Sequence, residues 1–201
     1  CVLIGLNEIQ DEYRLLYVQN HVFSKSKATT VQKITKSHIL AFYISTYTNN
    51  NGIKLLIISK NPFQALFRLF DHPNIFVVNR AIISIYNILN AGSNTTSLSE
   101  KHPHFATIQE CDGINQLFNL FKRNDITKYT KDRSALCIGN LFRAQQIPSN
   151  EMKTEIIAHL KALLNGFDDW GKNAAILTIK DLAQNVVNRA EIEKDGFIIP
   201  D

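Results

Sequence analysis

The chain has 201 residues, 45% of them hydrophobic and 20% charged, with 22 Lys and Arg set against 18 Asp and Glu. That composition supports a continuous apolar core and excludes a disordered polyelectrolyte, while a formal net charge of +4 is too small to argue for nucleic acid by itself. Cys1, Cys111 and Cys137 form an odd set without a C-x-x-C spacing, which excludes a disulfide framework or a structural zinc site and fits a reducing compartment, cytoplasmic and/or nuclear.

No stretch reaches the roughly 18 to 20 apolar residues of a membrane span, so no membrane partner is expected. Cys1 to Leu6 are apolar but lack a basic leader and a small-residue cleavage site, so no signal peptide is expected either. The start at Cys1 and the stop at Ile199-Pro200-Asp201 read as cuts through a longer protein.

In chain order, the first expected helices run from Glu8 to Phe23 and from Thr29 to Thr48. Phe63 to Phe70 then places apolar residues at i, i+3, i+6 and i+7, the stripe of an amphipathic helix, and Ile114 to Phe121 and Ile157 to Leu164 repeat it. A longer helix follows each: Arg80 to Leu89, Arg133 to Phe142 and Ala174 to Ala183. These align at Asn87, Asn140 and Asp181, 53 and 41 residues apart, and the longer period contains Ala91 to Glu100, whose composition predicts a surface loop.

Glu110-Cys-Asp-Gly-Ile114 and Glu193-Lys-Asp-Gly-Phe197 share a Glu-x-Asp-Gly-apolar signature, with Pro62-Phe63 in the corresponding place one unit earlier. The glycine is expected to end a short helix in a left-handed cap. Pro148-Ser-Asn-Glu151 predicts instead a turn and an N-cap, and Asp168-Asp169 an N-cap for the last long helix. The units run approximately over 1–51, 52–93, 105–148 and 149–187, with 188–201 opening another, all in one domain.

A short helix, a two-turn apolar helix and a longer helix with Ala early and Asn-Leu late resemble the armadillo repeat. Glu110-Cys-Asp-Gly-Ile114, Leu117-Phe118 and Gly139-Asn140-Leu141 look more like armadillo than like HEAT repeats, which share the period. The resemblance implies an all-α, right-handed α-solenoid of about four repeats, whose third helices line a concave groove that holds an extended peptide. It further implies that a third-helix Asn hydrogen-bonds the peptide backbone, a task that suits an amide with both donor and acceptor.

At about 100° per residue, Ala81, Ile85 and Ile88, then Ser134, Ile138 and Leu141, then Ala175, Ile179 and Leu182 form the core side of the long helices. The opposite side carries Arg80, Asn87 and Asn90; Arg133, Asn140 and Arg143; Ala174, Asp181 and Gln184; and, one unit earlier, Lys36, Tyr43 and Thr46. Ile39, Ile83, Leu136 and Leu177 fall four positions before the Asn-like residue. They are either an apolar stripe for a partner or contacts to a neighbouring helix, and the polar residues are either ligands or an ordinary solvated face. Lys36, Arg80 and Arg133 favour an acidic or phosphorylated segment.

No catalytic, cofactor or metal constellation can be assembled. His72, His102 and His104 read as loop residues, Cys111 as an unactivated thiol before a cap and Cys137 as a small core residue. The expected function is a non-enzymatic scaffold or adaptor that binds a protein segment. A regulatory or structural repeat region of a larger protein such as a kinase stands second. A nucleic-acid-binding solenoid stands third, because Ala174 and Asp181 interrupt its basic row.

Overall fold

Six of the described helices start where a short polar side chain accepts a free backbone N–H. Asn50, Asn74, Thr127, Ser149, Asp168 and Asn185 each cap the helix that follows, bonding Gly52, Phe76, Thr130, Met152, Trp170 and Val187 respectively at 2.9–3.2 Å. The computed structural model describes residues 31–200. Among them are the helices α1 (Lys36–Thr46), α2 (Asn51–Ile58), α3 (Phe63–Arg68), α4 (Ile75–Asn94), α5 (Phe105–Glu110), α6 (Gly113–Lys122), α7 (Lys128–Leu141), α8 (Asn150–Leu164), α9 (Asp169–Leu182) and α10 (Val186–Ile192). Short 3-10 turns lie at Val31–Lys33, Leu69–Asp71 and Lys194–Gly196, and no strand occurs among the described residues. The expected helix Glu8 to Phe23 lies outside them.

The described part of the expected Thr29 to Thr48 helix is broken: a 3-10 turn ends at Lys33, Thr35 is extended, and α1 begins only at Lys36. The short apolar helix expected at Ile157 is part of the 15-residue α8. The left-handed cap falls one residue from its expected place at the first signature, whereas at the second Gly196 takes it as expected, at φ 77°. Asp112 and Asp195 take the positive φ, 58° and 61°, at the two Glu-x-Asp-Gly signatures, and Asn61 does the same, at 49°, before Pro62. Asn and Asp tolerate this region because their short polar side chains compensate locally. Three chain reversals therefore share one rule: a left-handed Asn or Asp, then Gly or Pro, then an apolar residue.

The described residues form two compact units, 31–91 and 92–200. In the first, α1 packs on α2, and Phe63, Phe67, Phe70, Ile82 and Ile85 are core residues. His72 is buried rather than a loop residue. Its Nδ1 accepts from the Asn74 N–H and its Nε2 donates to the Ile34 carbonyl, at 2.9 and 3.0 Å.

In the second unit α7 packs against α6, α8 and α9, and α8 also meets α9 and α10. Every residue from Asp132 to Arg143 is buried as a result. The expected core residues Ser134, Ile138, Leu141, Ala175, Ile179 and Leu182 are fully enclosed, as are Ala81, Ile85 and Ile88 in α4. Side-chain ties cross the second unit: Asp132 to His159 at 2.9 Å and Lys122 to Glu151 at 3.2 Å, with Glu155 on the same ammonium. Burial raises the Asp132 pKa, but bonds from His159 and Lys128 outweigh it and hold the carboxyl below its ordinary value.

α4 is 20 residues long and, by length and composition, could cross a membrane, which the sequence reading did not expect. Protein buries 61% of that stretch, as in the core helix of a packed domain.

The approach of α9 to α7 depends on Gly139. A Cβ there would stand 2.2 Å from Thr178 Cγ2. Gly139→Ala is expected to cost about 1–3 kcal/mol as overpacking, measured by urea unfolding. Thr178→Ser, which keeps the hydroxyl and removes the obstructing methyl, should recover most of that loss in the double variant.

Candidate partner-binding site

The long helices expose very different faces. Apart from its ends and Asn79, α4 is enclosed except along one stripe through Phe76, Arg80, Ile83, Asn87 and Asn90, all partly accessible at i, i+4, i+7, i+11 and i+14 spacing. Four of the five are residues expected to face a partner. α7 has no such stripe. α9 has a shorter one, through Trp170, Asn173 and Leu177.

In the first unit the Arg80 guanidinium lies 4.5 Å from the Tyr43 ring centroid and 5.1 Å from that of Phe76, and the Lys36 ammonium lies 5.8 Å from Phe76. These cations are held by aromatic faces, which links the expected site residues Lys36, Tyr43 and Arg80 in one cluster. Asn87 donates through Nδ2 to the Thr46 hydroxyl at 3.3 Å, and that hydroxyl donates onward to the Tyr43 carbonyl at 2.8 Å. The Asn87 amide oxygen faces no bonded partner among the described residues.

Asn87 also borders a polar pocket of about 320 Å³, lined by Thr46, Tyr47, Thr48, Asn49 and Lys54 as well. Lys54 is half-buried, and burial pushes its ammonium below the ordinary lysine pKa. The sequence reading missed this pocket, because Lys54 belongs to no repeat signature. Its available signal was charge balance: residues 31–91 hold six Lys and Arg and a single acid, Asp71.

In the second unit most of the expected outer residues are inside. Leu136 is 0% exposed, so its apolar side chain packs against neighbouring helices. Arg133 is buried with its guanidinium 3.2 Å from the Trp170 ring centroid and 5.0 Å from that of Tyr129. The buried Asn140 accepts the Thr178 hydroxyl at 3.0 Å. The expectation of an accessible ladder fails at these positions for one reason: helical periodicity reports which residues share a face, whereas α7 has neighbours on more than one face. Leu177, in contrast, is 65% exposed, and Gln184 is exposed with Nε2 on the preceding helix at the Lys180 carbonyl, 3.2 Å away.

Arg143 is fully buried and serves the end of α4 and the loop over 95–104. Nε donates to the Glu100 carbonyl at 3.0 Å, Nη1 to the Ser93 carbonyl at 3.1 Å, and Nη2 to the Thr96 hydroxyl. His102 and His104 are buried beside this loop, stacked edge to face at 5.4 Å, and a Cβ on Gly92 would come within 2.9 Å of the His104 ring. They are packed residues, contrary to the solvated loop expected from composition. Asp181 is buried too, and burial, only partly opposed by the charge of Arg143, raises its carboxyl to about 6.

Among the described residues no group of three potential metal ligands occurs. Burial raises the thiol pKa of both Cys111 and Cys137, which keeps them protonated and poorly nucleophilic.

Two tests follow from this geometry. Arg143→Leu leaves two carbonyls and a hydroxyl without their donor, so it should lower stability by about 2–4 kcal/mol and speed protease cleavage between residues 95 and 101. Asp181 binds its proton more tightly folded than unfolded, so its contribution is greatest below about pH 4 and is lost as pH rises through about 6. Relative to the wild type, Asp181→Asn should therefore become steadily more stable across that window in urea titrations. No protein-family model and no curated protein matches the sequence, so residues and geometry alone carry the functional reading.

Proposed function

We propose that this chain is a right-handed α-solenoid of about four armadillo-like repeats and works as a protein–protein interaction scaffold. It holds an extended segment of a partner protein, in the cytoplasm or nucleus, and catalyses no reaction. Repetition at three levels supports the architecture. The left-handed Asn or Asp turn recurs at residues 61, 112 and 195. Arg80 and Arg133 each lie against an aromatic ring one helical turn earlier, Phe76 and Tyr129. Asn87 donates to a Thr 41 residues earlier and Asn140 accepts from a Thr 38 residues later, so each ties its helix to a neighbour about one repeat away. Modules related in this way bury one another's apolar faces and leave a long accessible wall.

The observation that carries the functional reading is the stripe on α4. Arg80, Ile83, Asn87 and Asn90 stay partly accessible along one side of a helix that is mostly enclosed elsewhere. Alternating apolar and amide groups suit an extended peptide, whose side chains need apolar contacts and whose backbone needs paired donors and acceptors. Leu177 on α9 and Gln184 in the turn after it offer an apolar and an amide group in the second unit.

Fluorescence anisotropy of the whole chain against a library of labelled 12-residue peptides tests this reading. Some sequences should bind with Kd in about the micromolar range, and Ile83→Asp combined with Asn87→Ala should weaken them at least about tenfold while the circular dichroism spectrum is unchanged. The reading fails if no peptide of any composition binds, or if the double variant binds them all as well as the wild type does.

A further inference from the structure

We infer that the pocket beside Asn87 is a carboxylate site, in which the Lys54 ammonium receives an Asp or Glu side chain of the bound segment. The inference rests on the scaffold reading and names the chemistry of the segment at one position. Its first support is the lining: Thr46, Tyr47, Thr48, Asn49, Lys54 and Asn87 supply one cation and several neutral donors, and no carboxylate. Thr48 accepts the Asn50 N–H through its oxygen at 3.1 Å, which leaves its hydroxyl hydrogen to donate elsewhere. Lys54 makes no ion pair among the described residues, and burial alone perturbs it. A half-buried ammonium without a counter-charge has lost hydration with no compensation, and an incoming oxyanion restores it.

Charge distribution is the second support. Residues 31–91 contain Lys33, Lys36, Lys54, Lys60, Arg68 and Arg80 against Asp71 alone, and the thirty residues before them add three bases and three acids, so the net positive charge of this part of the chain attracts anions at long range as well as at the pocket. The third is position. Asn87 belongs to both the pocket and the α4 stripe, so a peptide on the stripe passes the pocket mouth with its backbone beside the amide.

The occupant is one acidic side chain rather than a nucleic-acid strand. A phosphate backbone needs a row of cations along its track. Here the pocket offers one, while Lys36 and Arg80 are drawn onto Phe76 and Tyr43. A volume of about 320 Å³ lies at the small end of ligand sites, enough for a side chain.

The experiment titrates the whole chain into a labelled 12-residue peptide of alternating Glu and Ala. Parallel arms use Gln and Ala, Lys and Ala, the Glu peptide with one phosphoserine, and a 12-nucleotide single-stranded DNA. The Glu peptide should bind at least about tenfold tighter than the Gln peptide. Lys54→Gln should erase that preference, Lys54→Arg should keep most of it, and Lys60→Gln, which removes an exposed cation of the same unit, should change it less than about twofold. Equal losses from Lys54→Gln and Lys60→Gln would mean diffuse attraction and overturn the site. So would tighter binding of DNA than of the Glu peptide, or binding that requires the phosphoserine. If Gln and Glu peptides bind equally well, the carboxylate site is lost while the scaffold reading survives. If neither they nor the wider library bind, both are lost.

Discussion

The bond from the Thr178 hydroxyl to the Asn140 amide oxygen, enclosed between α7 and α9, sets the spacing on which the second unit depends. A buried amide must be bonded or it destabilises the fold, and the Thr178 bond forms only when α9 lies close. Gly139 permits that closeness by lacking the side chain that would strike Thr178. Once the two helices are this near, Leu136 is shut from water, and Trp170 closes over Arg133. The same chemistry operates more loosely in the first unit, where Asn87 reaches Thr46 at 3.3 Å and both the Asn and its helix remain partly open. Tightness of this one contact therefore separates a helix that is all core from one with a usable face.

Cations on aromatic rings are the second shared device. Arg80 and Arg133 sit seven residues before their Asn, each over the ring of a residue four positions earlier. A guanidinium on a ring keeps its flat faces desolvated at little cost, which lets a charged residue line a helix interface. This explains how a chain with 22 Lys and Arg packs long helices together. It also withdraws several of those cations from any role at the surface and leaves Lys54 as the one without an internal partner in its pocket.

Much of the helical layout was readable from residue order, because the apolar residues of α3, α6, α7 and α9 follow a 3.6-residue period and the caps at Ser149 and Asp168 are chemically distinctive. The burial of Arg133, Asn140, Arg143 and Asp181 was not. Periodicity assigns a residue to a face but cannot say that a second helix covers that face. At residue 112 the left-handed residue was misplaced because Gly is the usual occupant and the neighbouring Asp takes the conformation, whereas Gly196 takes it as expected, with Asp195 left-handed beside it. Lys54 was invisible for a different reason: its pocket is assembled from the end of α1, the start of α2 and the middle of α4, and no local spacing connects them.

Trp170, the chain's one tryptophan, is stacked on Arg133 and on Tyr129, 6.4 Å away, at the mouth of α9. Its emission is thereby an intrinsic optical reporter of residues 92–201. Loosening of α9 would shift that signal at once, and melting confined to the α1–α4 region would leave it dark. Spectral and circular dichroism melting curves that separate would show that the two units lose structure at different temperatures.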